Sequence, residues 1–329
     1  MQAYWKSNRC KAALCASLAL AAPHTFAAEP AGTFPSRTVT LVVGFSPGGL
    51  PDIAARLLAP ALSDAWKQQV IVENRPGAGS AVAARMVATG NADGHTILST
   101  TAAHSAAPAL YAKLGYDPAA DFSGVALVGT TPLLLVTGPN SSLKTLADLI
   151  AQAKAKPGFI NFASAGVGSN THFGMEVFNS TAGIEMTHVP YKGIPEALTD
   201  IMTGRVEVFA APLGNALAPL RDSRLRALAV TKGQRTSLLP DVPTVAESGV
   251  AYRWDTWFGL LVSSKTPRAI VMKLNADIMR ILEQPSIAAR WAALGAEVPR
   301  ATPEQFDQIV RDDIATFTRS ARAAKIQPE

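Results

Sequence analysis

Two glycine-rich turns contain the residues whose types and spacing could do chemistry. The first turn, Phe45 to Gly49, follows an apolar run and precedes an amphipathic helical pattern. Pro51 suits the first position of that helix, because its missing N–H would have had no partner inside the helix. The N–H groups of Gly48, Gly49 and Leu50 can then converge at the positive end of a helix dipole. The sequence therefore predicts an anion site here; a tight turn without a ligand is the alternative.

The same turn also matches a catalytic motif. Residues 44 to 48 fit G-x-S-x-G, the nucleophile elbow of α/β-hydrolases. That chemistry uses the backbone N–H of the residue after the serine to stabilise an oxyanion. The residue after Ser46 is Pro47, which has no N–H. An exported serine hydrolase acting through Ser46 is therefore a minor alternative.

The second turn, residues 164 to 172, reads Ser-Ala-Gly-Val-Gly-Ser-Asn-Thr-His and opens another predicted helix. Its glycines and small hydroxyls suit a second anion site. An ordinary helix start, capped by Ser169 or Asn170, is the alternative.

A further glycine pair, Gly77 and Gly79, hints at a dinucleotide-binding loop. Val82 stands at the third glycine position of that fingerprint, and no acidic residue follows at the expected distance. A Rossmann site is therefore a minor alternative, and Ser80 is predicted instead to cap the helix over 81–89.

The elements that must position these turns alternate between strand-like and helix-like patterns. This alternation predicts an α/β fold with mostly parallel sheets. An apolar run over 123–137, broken at Pro132, is the predicted first crossing between two domains, and Ser142 is predicted to cap the next helix. Residues 28–133 and 256–329 form the predicted domain 1, and residues 134–255 form domain 2. Two domains without a flexible linker imply crossing strands that act as a hinge.

Residues 1–27 have the pattern of a secretory signal peptide. A basic start precedes an apolar run that is too short to span a membrane. We predict cleavage after Ala27 and therefore export of the mature chain. No later stretch is apolar enough for a transmembrane helix, so no membrane insertion is expected after cleavage. Both cysteines, Cys10 and Cys15, fall in the signal, which leaves no thiol chemistry to the mature chain.

Charge and residue clustering exclude other classes. The full chain has a formal net charge of +5, and removing a signal with three basic and no acidic residues lowers it to +2. Without a dense basic stripe, nucleic acid is not an expected partner. The histidines are scattered, so no metal site is predicted, and no cofactor is expected. No base is identifiable beside a nucleophile, so we expect no enzyme. Asp52 is expected mainly to complement the dipole of the first helix.

Several segments together resemble the Bug family, the periplasmic substrate-binding components of tripartite tricarboxylate transporters. The resemblance runs in order from about Pro35 to the C-terminal helix. It rests on these stretches: Phe45–Gly49 with Asp52–Arg56, Val72–Gly79, Ala92–Thr96, Gly168–His172, Val189–Gly193, Leu239–Gly249 and Trp257–Gly259.

This resemblance implies a two-lobed, periplasmic-binding-protein-like fold of type II that closes on a small organic acid. Ligands in the family are mostly di- and tricarboxylates, acidic amino acids, aromatic acids and nicotinate. They are held through backbone N–H groups, small hydroxyls and trapped water. The implied ligand-binding residues in domain 1 are Phe45, Ser46, Gly48, Gly49, Ser80, Thr100 and Thr101. Those in domain 2 are Ser164, Gly168, Ser169, Asn170, Thr171, His172, Lys192, Gly193 and Ala211. Two departures stand out: Ser80 replaces a frequent glycine, and Glu207 replaces a more usual aspartate at the pocket edge.

The expected function is capture of a carboxylate between two lobes and its delivery to membrane permease subunits. A sensor that presents its closed state to a membrane histidine kinase is the alternative that the sequence leaves open.

Overall fold

The computed structural model describes residues 30–323, 326 and 328. The predicted signal peptide therefore lies outside the described residues. None of the described helices combines the length and the hydropathy needed to cross a bilayer.

The N-terminal part of the described chain builds a parallel sheet whose strands alternate with helices. The central strand β1 pairs in parallel with β2 on one side and β3 on the other. Its residues are almost all buried, as expected for a strand covered on both faces. The elements are β1 (Val39–Val43), α1 (Leu50–Trp66), β2 (Val70–Asn74), α2 (Ala81–Thr89), β3 (Thr96–Thr101) and α3 (Ala103–Leu110).

Two long strands join this sheet to the rest of the molecule. β4 (Phe122–Thr137) and β9 (Asp255–Ser263) run antiparallel to each other from Phe122 opposite Ser263 to Pro132 opposite Asp255. From Leu133 onward, β4 pairs instead with β7 and β8. The predicted break at Pro132 is wrong, since β4 is continuous. The proline, which has no N–H to donate, stands where the strand changes partners.

The middle of the chain repeats the parallel pattern. Strand β5 pairs in parallel with β6 and β7, whereas β7 and β8 pair antiparallel with β4. The elements are α4 (Leu146–Ala155), β5 (Asn161–Ser164), α5 (Asn170–Ala182), β6 (Thr187–Pro190), α6 (Ile194–Thr203), β7 (Val208–Pro212), α7 (Leu213–Arg221) and β8 (Arg226–Val230). We call this part the second lobe and the sheet built on β1 the first lobe.

The α/β prediction is confirmed, and the parallel pairing holds among β1 to β3 and among β5 to β7. The pairing of the two crossing strands departs from the predicted mostly parallel arrangement, because β4 and β9 are antiparallel. They run in opposite directions since β4 leaves the first lobe and β9 returns to it. The exact domain bounds stay a prediction.

Helix starts follow side-chain capping. The predicted cap at Ser142 is wrong, because α4 begins after Thr145. Thr145 accepts from the Asp148 N–H while the Asp148 carboxylate accepts from the Thr145 N–H, which is a capping box.

Three helices follow β9: α8 (Arg268–Leu282), α9 (Pro285–Ala293) and α10 (Pro303–Ala323). Helix α8 packs on α1 and β4, as expected for a return to the first lobe. Helix α10 contacts α3 and β4 and also α5 of the second lobe. Trp254 and Trp257 are buried, and their indole N–H groups donate to Asn170 and Asp313, so both pack at the crossing.

Candidate ligand-binding site

The first glycine turn lies at the carboxyl ends of three parallel strands. Gly44 N–H donates to the carbonyl of Ser99 in the second half of β3, and Arg75 N–H donates to that of Val43 at the end of β1. In open α/β sheets this edge is where ligands bind. We call residues 45–49, with Ser80, Thr100 and Thr101, the first cradle.

One amide of the first cradle is already engaged. Gly48 N–H donates to Asp52 Oδ2 over 2.9 Å, so it is not free as the sequence led us to expect. The amides of Gly49 and Leu50 have no hydrogen-bond acceptor within the described part of the chain. These two N–H groups lie at the start of α1 and are available to an anion.

Asp52 is buried and accepts from three donors. Besides Gly48 N–H, they are Arg56 Nε at 3.0 Å and Asn74 Nδ2 at 2.8 Å. Burial alone would raise the pKa of Asp52, but these hydrogen bonds outweigh it and leave the pKa below its usual value. Charged Asp52 therefore links the turn to β2 by hydrogen bonds to Gly48 and Asn74. This role goes beyond the expected complementation of the helix dipole.

The neighbouring turn, residues 77 to 80, presses against the first. All four residues have positive φ, with Ser80 at 82°. A Cβ placed on Gly44 would overlap Ser80 Oγ, so only glycine fits there. Ser80 precedes α2, but its side chain makes no capping bond, which corrects that prediction. Its hydroxyl instead accepts from Thr100 Oγ1 at 2.9 Å.

The second cradle, residues 164–172, uses several of its own amides. Gly168 N–H donates to His172 Nδ1 at 3.1 Å, and Gly166 N–H donates to Ser164 Oγ at 3.1 Å. Ser169 caps α5 by accepting from His172 N–H, so of the two caps that the sequence left open as an alternative, Ser169 is the one used. Within the described residues, three amides have no acceptor: those of Val167, Asn170 and Thr171.

The hydroxyl of Thr171 and the side-chain oxygen of Asn170 in the second cradle are also hydrogen-bonded. Thr171 Oγ1 accepts from Ala165 N–H at 2.9 Å and lies 2.9 Å from Ser169 Oγ. Asn170 Oδ1 accepts from Trp254 Nε1 at 3.1 Å. These contacts support the second cradle, and the crossing segment helps to orient the Asn170 side chain through its oxygen.

A neutral histidine holds the second cradle. A ring nitrogen that accepts from a backbone N–H carries no proton, so His172 is neutral with its proton on Nε2. That nitrogen lies 3.6 Å from Glu176 Oε1.

The end of α3 lies between the two cradles. A Cβ placed on Gly168 would overlap the side chain of Leu110, the last residue of α3. One placed on Gly79 would lie 3.8 Å from Tyr111 Oη. The structure therefore brings the two glycine-rich regions to the same side of the molecule, in contact through Leu110 and Tyr111.

The remaining predicted residues lie beside the second cradle. Exposed Lys192 and half-buried Gly193 follow the carboxyl end of β6, next to the end of β5. Ala211 lies in β7, two residues beyond the pairing of Phe209 with Ala163, and its side chain is fully buried in the core. Glu207 lies at the opposite edge of the sheet. There its carboxylate accepts from the backbone and side chain of Asn161, so it does not border the cradles.

Sequence reasoning missed two residues that shape the site. His188 Nε2 lies 2.6 Å from Ser164 Oγ, and Leu110 packs against Gly168. His188 directly precedes the Val189–Gly193 stretch, which was a usable signal, whereas no local pattern marks Leu110.

Two cavities of about 590 and 390 Å³ open elsewhere. The larger lies between α5 and α10, and the smaller between α10 and the start of β9; neither is lined by a residue predicted to bind the ligand. Among the described residues, no cluster of histidine, cysteine or carboxylate side chains is suited to a metal. Ser46 is exposed, and within the same residues no histidine is hydrogen-bonded to it.

Comparison with known proteins identifies the family. The chain matches the tripartite tricarboxylate transporter family receptor over residues 54–324. It belongs to this family. BugT from Bordetella pertussis (strain Tohama I) is 35% identical to this receptor over 295 residues, which are 89% of this chain and 90% of BugT.

Solved structures support the same conclusion for the fold of this receptor. An R. palustris protein with adipate is 35% identical, with a TM-score of 0.82 over 90% of this chain and 100% of that one. MatC from Rhodopseudomonas palustris, with bound malate, is 34% identical, with a TM-score of 0.78 over 88% and 100%. The two-lobed binding-protein fold is confirmed by these similarities.

Proposed function

We propose that this receptor binds a small carboxylate between its first and second cradles, in the periplasm, and delivers it unchanged to permease subunits of a tripartite transporter. The contact of Leu110 with Gly168 carries this proposal, because it places the end of α3, in the first lobe, against the second cradle. Relatives about one third identical hold adipate and malate. Both of these ligands are carboxylates, which can accept hydrogen bonds from the unpaired backbone N–H groups of this receptor.

The available donors favour a carboxylate held by backbone groups. Around the starts of α1 and α5, the amides of Gly49, Leu50, Val167, Asn170 and Thr171 have no acceptor within the described part of the chain. Hydrogen bonds to a charged acceptor contribute about 1.5–3 kcal/mol each. A micromolar dissociation constant corresponds to about 8 kcal/mol. Several such bonds acting together reach this range, and the loss of ligand freedom on binding opposes them. Arg56 does not serve as a clamp here, because it is engaged by Asp52 and Asn74.

A thermal-shift screen of adipate, malate and related acids, followed by titration calorimetry, tests the proposal. A ligand that closes the lobes should raise the melting temperature, since it binds only the folded state. Gly49→Val is the matched site variant: an added Cβ there meets only ordinary contacts, at 3.7 Å from the Ser46 carbonyl oxygen. We expect it to fold normally and to bind at least tenfold more weakly, because the branched side chain occupies the anion's place.

Gly32→Val serves as the control, since an added Cβ at this exposed glycine meets nothing within 4 Å. It should bind as the wild type does. No thermal shift with any carboxylate, or equal binding by Gly49→Val, would contradict the proposal.

A further inference from the structure

His188 lies at the centre of a stack of three rings. Its ring centroid is 3.8 Å from that of His172, with 14° between the planes, and 4.9 Å from that of Phe162, with 21° between the planes. Phe162 is fully buried in β5, and His172 lies in the first turn of α5. The stack therefore joins the strand that enters the second cradle to the helix that leaves it.

Each histidine of the stack holds a different part of the cradle. His188 Nε2 lies 2.6 Å from Ser164 Oγ, the atom that accepts Gly166 N–H. His172 Nδ1 accepts Gly168 N–H. Gly166 and Gly168 have φ of 124° and 75°, so this stretch has little conformational preference of its own and needs outside support.

The two imidazoles cannot both carry a positive charge at this separation. In the arrangement of the structure, His172 Nδ1 accepts a hydrogen bond and so carries no proton. Burial, and then the repulsion that a charge on His172 would exert, lower the pKa of His188 to about 3. An uncharged pair can stack at 3.8 Å, and the hydrogen-bonding role of each ring is then fixed.

We propose that His188 is a positioning residue for carboxylate binding. It fixes the Ser164 hydroxyl directly and the Gly168 amide through its stacking on His172, which keeps the amides of Val167, Asn170 and Thr171 in their binding arrangement. This inference rests on the proposed function, but its structural part can be tested on the free protein.

Two substitutions separate the ring from its hydrogen bond. His188→Phe keeps a stacking ring beside Phe162 and removes the contact with Ser164. His188→Gln keeps a polar group for Ser164 and removes the ring. Hydrogen exchange of the ligand-free protein should show Gly166 N–H about tenfold faster in His188→Phe, and Gly168 N–H about tenfold faster in His188→Gln, as loss of one net hydrogen bond implies. Gly48 N–H in the first cradle is the internal control and should be unchanged in both.

Adipate titration then measures the consequence for binding. We expect His188→Phe and Ser164→Ala each to weaken binding about tenfold, and the double variant to be no weaker than either, because both remove one shared support. Additive losses in the double variant would overturn the proposal, as would unchanged exchange at Gly166 in His188→Phe. If no carboxylate binds the wild type, the proposed function fails, while the exchange experiment still decides whether His188 holds the turn.

Discussion

The two cradles support the same backbone shape with side chains of opposite character. In the first, Gly48 has φ of 89° and its amide is held by a carboxylate four residues later, Asp52. In the second, Gly168 has φ of 75° and its amide is held by a neutral imidazole four residues later, His172. Each holding side chain lies in the first turn of the helix that follows the glycine.

The two cradles differ in the electrostatic field that they present to a bound anion. Asp52 places a negative charge at the start of α1, which Arg56 and Asn74 partly offset. His172 leaves the positive end of the α5 dipole without such a charge. We therefore expect the second cradle to attract the more highly charged end of an asymmetric ligand and the first cradle to hold the other end through shape and amide bonds.

Substitution of the two glycines should give the largest contrast. Gly168→Ala adds a methyl group that overlaps Leu110, at a φ that L-residues adopt reluctantly. Strain and overpacking together predict a loss of about 2–4 kcal/mol in unfolding free energy and weaker carboxylate binding. Gly48→Ala has a similar φ but open space around the added carbon, so about 1–2 kcal/mol is expected. Urea denaturation measures both.

A rescue variant separates overlap from strain in Gly168→Ala. Adding Leu110→Ala makes room for the methyl group, so the double variant should recover part of the binding affinity although Leu110→Ala alone costs packing. Failure to recover any would show that backbone strain, not contact between lobes, dominates at Gly168.

Asp52→Asn should have the next largest effect. The amide offers fewer acceptor sites than the carboxylate and turns an NH₂ group toward the donors of Gly48, Arg56 and Asn74. We expect a loss of about 2–3 kcal/mol at neutral pH. Because the pKa of Asp52 is lowered on folding, its stabilisation is present above the unfolded value of 3.8 and is lost as the pH falls through the folded value. The gap between variant and wild type should therefore narrow only below about pH 4; a constant gap down to pH 2 would contradict this account.

The second cradle should respond to acid at a higher pH. His188 has a pKa of about 3 against a usual 6.5, so between these pH values the unfolded chain binds a proton at His188 and the folded chain does not. Its neutral form supports the fold fully above pH 6.5, and this support is lost as the pH falls toward 3. In His188→Phe the melting temperature should fall less steeply than in the wild type between pH 6.5 and 4. The difference should correspond to about 1 kcal/mol of unfolding free energy, because the ring is only partly buried and solvent screens its charge. A residual slope should persist, because burial also lowers the pKa of His104, to about 4. Equal slopes in variant and wild type would argue against the His188 contribution.

The sequence predicted what depends on local pattern. Helix α2 has the predicted bounds, and the turns at Gly48 and Gly168 lie at helix starts as the glycine and proline positions indicated. Ser142 failed as a cap because Thr145 forms a reciprocal pair with Asp148, a better-satisfied start three residues later.

What the sequence missed depends on contacts between distant segments. Ser164 and His188 are 24 residues apart and meet only because β5 and β6 pair in parallel. The contact of Leu110 with Gly168 requires both lobes to be in place. The hydrogen bond from Gly48 N–H to Asp52 is local, since the two residues are only four apart. The sequence also allowed Asp52 to complement the helix dipole or to contact the ligand. Only the geometry shows that Asp52 binds the Gly48 amide.

The smallest expected effect is at Ser80, where the first cradle departs from the glycine that the resemblance implied. With φ at 82°, Ser80 carries a conformational cost of about 1 kcal/mol that glycine would not. Its hydroxyl also accepts from buried Thr100, a hydrogen bond with a net contribution of about 1 kcal/mol. Ser80→Gly removes both, so the unfolding free energy should stay within about 1 kcal/mol of the wild type.

A Thr100→Val background separates the two contributions. The hydrogen bond is already absent there, so the same Ser80→Gly change should stabilise the protein by about 1 kcal/mol in urea denaturation, through relief of the positive φ alone. A loss of stability in that background would mean that packing of the Ser80 side chain against Gly44 outweighs backbone strain. Serine would then be favoured in the first cradle because its side chain fills space beside Gly44. The second cradle has no equivalent residue, since both of its positive-φ positions are glycine.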